Sequence, residues 1–239
     1  MIPQALGFFG WKRPEIAKKT LAALARCRGI ERWPVIAYLD HGYDPETRRA
    51  IQQWKASELI ADCASQERLG CSGNLTRGIM NLFETCSGRF IVLEDDCYPA
   101  EGFIEYMEDH LEAPGDQARH WTDTLSIAAY HPSVLKSKKW AGWNDEWSWT
   151  PGFHCWGWGT WKSRMGHFHN ALIPVRGDAH ADSWDVRLNQ YAADHGMGCI
   201  IPRLCRVLNI GTQDATHTKG EDLRKDEWTG GEDPKLIRV

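Results

Sequence analysis

Short apolar runs alternate with segments of helical spacing four times before Pro114, and few folds accept that pattern. Residues 4–9 read as an apolar strand. Residues 13–27 follow as a helix, with Pro14 suited to a first turn and Ile16, Leu21 and Leu24 at helical spacing. A second strand covers 34–40 and ends in Asp40. A second helix covers 44–56, with Asp44 as N-cap and Pro45 at its first position. The third pair is a strand at 58–63 and a helix at 73–86. The fourth is a strand at 89–96 and a helix at 99–113. Four such units in a row predict an α/β fold with a mixed, mainly parallel sheet and helices on both faces.

After Pro114 the rhythm breaks. Residues 124–130 read as one more strand, and loop-rich sequence then runs to about Gly166. A helix is expected at 181–196, a late strand at 198–202, and a polar, irregular tail from Glu221. The 239 residues make one large domain or two small ones, and 42% hydrophobic content supports a real core. A formal charge of −4 argues against a dedicated nucleic-acid binder. No run approaches the roughly 18–20 apolar residues of a membrane span. The first residues lack a basic segment before an apolar core, so a cytoplasmic protein is expected. The eight cysteines form no C-x-x-C pair and are expected to be reduced thiols.

The stretch "GRFIVLEDDCYP" carries the chemistry. Phe90, Ile91, Val92 and Leu93 suit a strand buried on both faces, and Glu94, Asp95 and Asp96 then pile like charge on its end. In sheets of this kind ligands lie beyond the carboxyl ends of the strands, where Asp40 and the triplet would share a crevice. Three carboxylates there raise one another's pKa unless a cation sits among them. Mg²⁺ or Mn²⁺ solves this, held by one or two carboxylates and completed by substrate phosphates and water. The plain alternative is a solvated acidic turn ahead of the next helix.

Seven of the thirteen tryptophans crowd between Trp140 and Trp161. They are either core packing or a surface on which sugar rings or bases stack. His154, Trp156, Trp158 and Trp161 come together there, and Trp158 is the choice for the ring that floors a sugar or acceptor pocket. Three histidines, His154, His167 and His169, mimic a zinc site but read more simply as hydrogen-bonded groups. The basic cluster at 135–140 is either a solvated loop or a contact for a phosphate-bearing acceptor.

Four stretches in order resemble a known family. "FIVLEDDCYPAEGFIEYM" is similar to the metal-binding stretch of GT-A fold nucleotide-sugar glycosyltransferases, in particular the N-acetylglucosaminyltransferase I-like group and its bacterial relatives. "KRPEIAKKTLAALAR" resembles their first-helix segment, "CWGWGTWKSRM" the Trp-Gly-Trp segment of the bacterial members, and "NIGTQDATHT" their C-terminal stretch. Together these span 9–218. The resemblance implies a single GT-A domain over 1–218, with a nucleotide-sugar-binding half at 1–114, an acceptor-binding half at 115–218, and a tail at 219–239. It implies that Asp96 ligates a metal bridging the donor diphosphate. Asp95 would face the ribose and Glu94 the nucleotide or sugar. Arg13 would lie near the nucleotide, and Asp40 would recognise a uracil ring. Asp185 matches the region of the general base in inverting members, with Asp182 in reserve. His217 would sit on a loop over the donor and touch phosphate or metal. Departures are Thr212, where the family has an aromatic, and residues 121–152, which match nothing. The Golgi members carry a membrane anchor, and none is expected here.

The activity expected is therefore metal-dependent transfer from a nucleotide diphosphate sugar, UDP-linked by the resemblance, to a hydroxyl acceptor: a glycan, a lipid-linked sugar, a protein or a modified nucleic acid. Two other readings stay open. A nucleotidyltransferase would use the same edge and metal but attack phosphorus. A non-enzymatic carbohydrate-binding protein would use the tryptophans as a platform and the acids for Ca²⁺.

Overall fold

The computed structural model describes residues 1–112, 122–130, 147–173 and 183–211. The first half alternates as the hydrophobic pattern requires: β1 (Ile2–Gly10), α1 (Pro14–Leu24), β2 (Val35–Leu39), α2 (Pro45–Gln53), β3 (Leu59–Ala64), α3 (Gly70–Thr85), β4 (Cys86–Glu94), the short β5 (Cys97–Pro99) and α4 (Phe103–Glu112). The second half adds β6 (Thr124–Ala128), β7 (Trp147–Pro151), β8 (Trp158–Trp161), α5 (Met165–Leu172), α6 (Trp184–Asp194), β9 (Gly198–Pro202) and β10 (Val207–Asn209). Asp44 caps α2 as its position predicts, its side chain accepting from the Glu46 N–H.

Eight strands form one sheet in the order β3-β2-β1-β4-β8-β6-β9-β7. The pairs β3–β2, β2–β1, β1–β4 and β6–β9 are parallel, and β8 and β7 enter antiparallel. This is the mixed, mainly parallel α/β sheet that the sequence predicts. Its two faces carry separate cores. Along β4, Ile91 and Leu93 face α1 and α4, while Phe90 and Val92 face α3 and α5. All four are at most 1% exposed, so an unbroken apolar run was needed to serve both faces. At roughly 1.5–3 kcal/mol for each large side chain, this strand anchors the sheet. Helix α3 crosses closely at Gly78, where a Cβ would stand 2.3 Å from the Phe9 ring.

Three expectations need correction. The span before Gly166 is not all loop: β7 and β8 lie in it, and α5 starts at Met165. Strand β8, "WGTW", slots between β4 and β6, and Gly159 permits this because a Cβ there would lie 3.0 Å from the Phe90 carbonyl oxygen. Strand β4 starts at Cys86, directly after α3, rather than at residue 89. The segment after the triplet does not enter the helix at once. It forms β5, which pairs with β10 in a separate two-stranded sheet, and α4 begins only at Phe103. None of the eight cysteines is in a disulfide. Among the described residues no helix is long and apolar enough to cross a membrane. Asp182, the basic cluster at 135–140, Thr212, His217 and the tail at 219–239 lie outside the described residues.

Candidate active site

Strands β1, β2 and β4 run parallel, so their carboxyl ends share one edge. Asp40 follows β2, Trp11 to Arg13 follow β1, and the triplet ends β4. The triplet backbone is fixed from three sides. The Asp95 N–H donates to the Phe9 carbonyl at 2.8 Å, and its own carbonyl accepts from the Thr20 hydroxyl at 2.6 Å. The Asp96 carbonyl accepts from the Ile210 N–H at 2.8 Å. Sheet, first helix and late strand thus hold the acids in place before any ligand arrives.

Arg13 joins the acids. Its guanidinium pairs with Asp95 and donates to Asp96 Oδ2 at 2.8 Å. Burial works against the guanidinium charge, but the two carboxylates outweigh it and hold its pKa above the ordinary value. Burial also pushes the Asp95 carboxyl up to about 6, with Arg13 opposing and Asp96 adding to the rise. Glu94 stands highest relative to its usual range. Burial is the main cause, then Asp96 and Asp95, against a smaller pull from Arg13, with Asp185 adding repulsion. The Glu94 carboxylate receives no hydrogen bond among the described residues.

The sign of that shift gives a test. A carboxyl whose pKa is raised on folding contributes stability while protonated and loses it as pH rises through the folded value. Glu94→Gln is therefore expected to raise Tm of the metal-free protein at pH 8, by on the order of 2–4 °C, and to change it little at pH 5. Equal shifts at both pH values in a melting series would contradict this electrostatic picture.

A divalent cation fits this edge. Arg13 donates to Asp96 Oδ2, while Asp96 Oδ1 accepts from the Cys97 thiol at 3.9 Å, and the Glu94 carboxylate receives no hydrogen bond among the described residues. Among the described residues no group of three His, Cys, Asp or Glu is arranged to hold a metal alone. The side chains that could hold a cation here are Asp96 and Glu94, and one or two carboxylates is the number that Mg²⁺ or Mn²⁺ uses when phosphates and water complete the shell. Gly211 closes over this corner: a Cβ there would lie 2.4 Å from Asp96 Oδ2 and 2.8 Å from Arg13.

Asp40 is buried, and its carboxylate anchors α3. Oδ1 accepts from the Leu69 and His41 N–H groups at 2.8 and 2.9 Å, and Oδ2 from the Gly70 N–H at 2.9 Å. With about four acceptor positions on a carboxylate, one remains.

Asp185 stands in the first turn of α6, where the helix dipole favours an acid. The Ser183 hydroxyl donates to its Oδ1. Arg187 ties α6 to its neighbours, donating to the Leu172 carbonyl at 2.8 Å and reaching Ser72 and Thr76 on α3. This places Asp185 within electrostatic reach of Glu94 and Cys155. A cavity of about 200 Å³ opens beside it, lined by Tyr130, Phe153, Trp156, Val186 and Asn189 among others.

Trp158 requires a correction. It is fully buried in β8, stacked 5.4 Å from Phe168 and packed on Phe153 and Trp184. Its ring has no open face for a sugar. Trp156, two residues away and on the other side of the strand entry, is the indole that lines the cavity.

Sequence reasoning missed three residues. Trp11 sits at the β1 end, its indole N–H donating to the His41 carbonyl at 3.1 Å, with Lys12 4.5 Å and Arg68 5.4 Å from its ring. The "WKR" sequence directly after a strand was the available signal. Arg68 and Ser183 had none, because both reach the site through the fold.

The sequence matches no protein-family model and no curated protein. Solved structures do resemble it. The mannosyltransferase PcManGT from Pyrobaculum calidifontis, in complex with GDP-Man and Mn²⁺, aligns with a TM-score of 0.54 at 16% identity, over 84% of this chain. This chain spans 55% of the length of that one. A putative nucleotide-diphospho-sugar transferase from Desulfovibrio desulfuricans G20 aligns with a TM-score of 0.46 at 8% identity, over 84% of this chain and 80% of that one. The likeness to the mannosyltransferase establishes the architecture: this chain has the GT-A type of α/β fold.

Proposed function

We propose that this chain is a metal-dependent glycosyltransferase moving a sugar from a nucleoside diphosphate sugar to a hydroxyl acceptor. The observation that carries the reading is a convergence at one sheet edge. A carboxylate triplet with Asp95 and Asp96 buried, and a guanidinium paired to both, converge there, with Asp185 on another helix within electrostatic reach of Glu94. A protein of the same fold was solved with GDP-Man and Mn²⁺, which supports a metal and a nucleotide sugar as ligands.

Residues 1–114 form the donor half and 115–218 the acceptor half. Asp96, with Glu94 beside it, would hold Mn²⁺ or Mg²⁺, and His217 would add a contact to metal or phosphate. When bound, the metal supplies Lewis-acid stabilisation of the leaving diphosphate. Arg13 and Lys12 add positive charge where that negative charge develops. Asp95 fixes Arg13 and faces the ribose. Asp40 turns its remaining acceptor position to a base N–H, and the Trp11 ring with Arg68 borders the same corner. Asp185 accepts the proton of the acceptor hydroxyl. The acceptor oxygen then bonds to the anomeric carbon, and the carbon–oxygen bond to the diphosphate breaks with its electron pair leaving on the diphosphate. Attack from the opposite face inverts the centre, as in the N-acetylglucosaminyltransferase I-like group. That resemblance favours a UDP-hexose or UDP-N-acetylhexosamine donor.

A thermal-shift panel of UDP, GDP and dTDP sugars with Mn²⁺ tests this. A ligand at one hundred times its Kd adds about 2.7 kcal/mol to stability, or roughly 5–10 °C in a chain of this size. No shift with any nucleotide would end the proposal. Release of pyrophosphate in place of a nucleoside diphosphate would assign the site to nucleotidyl transfer.

A further inference from the structure

The cavity beside Asp185 carries its own chemical signature. Its wall is aromatic. Tyr130 and Trp156 pack with ring centroids 4.4 Å apart, and Phe153 continues the surface. Val186, 49% exposed, completes an apolar strip. Two of its polar groups stand on one face of α6, and His154 also lines it. Asp185 and Asn189 are one turn apart and both line the cavity.

Asn189 is oriented by the fold. Its Oδ1 accepts from the Phe153 N–H at 3.0 Å. The side-chain NH₂, which makes no hydrogen bond among the described residues, is therefore left as a donor. Asp185 spends Oδ1 on the Ser183 hydroxyl. Its Oδ2 is left as an acceptor. An acceptor and a donor one helical turn apart match two hydroxyls of one ring: one donates to the carboxylate and the other accepts from the amide. A flat apolar surface next to such a pair suits the C–H face of a sugar ring.

Size and charge narrow the ligand further. A cavity of 150 Å³ admits benzene, so about 200 Å³ has room for one six-membered ring. Among the described residues no Lys or Arg lines it; Asp185 and His154 do, and the Glu94 cluster stands nearby. Asp185 and the Glu94 cluster would repel a phosphate group placed beside them.

The geometry points to an acceptor that ends in an uncharged pyranoside, its C–H face on Trp156 and its hydroxyl pair on Asp185 and Asn189. This rests on the glycosyltransferase reading for its role but not for its binding. It disfavours sugar phosphates and nucleic acid as the group held at Asp185.

Saturation-transfer NMR on the full chain decides it, with methyl glucoside, galactoside and mannoside as probes, in the presence of Mn²⁺ and UDP or GDP. At least one glycoside should show transfer to its ring C–H protons. Trp156→Leu and, independently, Asn189→Ala should each weaken that binding by roughly tenfold, while Trp156→Phe retains it. The nucleotide melting shift should be the same in all variants. The inference is overturned if no glycoside binds while the nucleotide does. It is equally overturned if hexose 6-phosphates or a short oligonucleotide bind more tightly than the glycosides, or if both variants keep full glycoside affinity. Loss of the nucleotide shift in the parent strikes the enzymatic reading instead, and the glycoside result still decides the pocket.

Discussion

Arg13→Leu is expected to destabilise the metal-free protein by roughly 3 kcal/mol and to make that loss recoverable with Mn²⁺ alone. Arg13 is the counter-charge of two carboxylates whose side chains are 3% and 12% exposed. Removing one partner of a buried pair costs about 3–5 kcal/mol, because the other is left charged and unsolvated. The lower end applies because the Arg13 side chain keeps 24% of its surface exposed. In melting temperature this is roughly 6–12 °C. The rescue is the informative half. With Arg13 in place, a metal must compete with a guanidinium already bonded to Asp96. Without it, the three acids have no resident cation, and Mn²⁺ should raise Tm far more in the variant than in the parent. Equal Mn²⁺ shifts in both proteins would mean that the triplet and the metal have nothing to do with each other.

Asp185→Asn is expected to cut transfer by roughly 10²–10⁴-fold and to leave donor binding intact. The amide is isosteric, and its oxygen still accepts from Ser183, so the start of α6 should keep its shape. What disappears is the ability to take a proton. Single-turnover rates with saturating donor give the chemistry, and the nucleotide melting shift gives the binding. Transfer at the parental rate removes Asp185 from the role. A lost melting shift would instead make it part of the donor site.

Much of this was legible in the sequence, for a physical reason. A strand buried on both faces has to be apolar throughout, so "FIVL" announced β4 and its neighbours fixed the parallel order. The acids that ended it had no hydrophobic purpose, and they do lie at the shared strand ends beside Arg13. The second half was harder to read. Strand β8 is the four residues "WGTW", and its Gly159 reflects close packing against Phe90 and Leu111 more than strand propensity. The same packing misled the choice of ring. "WGWG" presents Trp156 and Trp158 as equals, and only the sheet decides that Trp158 is sealed in the core while Trp156 faces the cavity. Ser183 and Arg68 carry no local signal at all, since their contacts depend on how α6 and the loop before α3 are placed.

The central claim is that the carboxylate end of β4 grips a divalent cation together with a diphosphate. Calorimetric titration of UDP and GDP into the parent and into Asp96→Asn, with Mn²⁺ and with EDTA, tests it most directly. Binding should appear in the parent with Mn²⁺, vanish on chelation, and be absent from the variant. Nucleotide affinity that is the same in all four arms would contradict it.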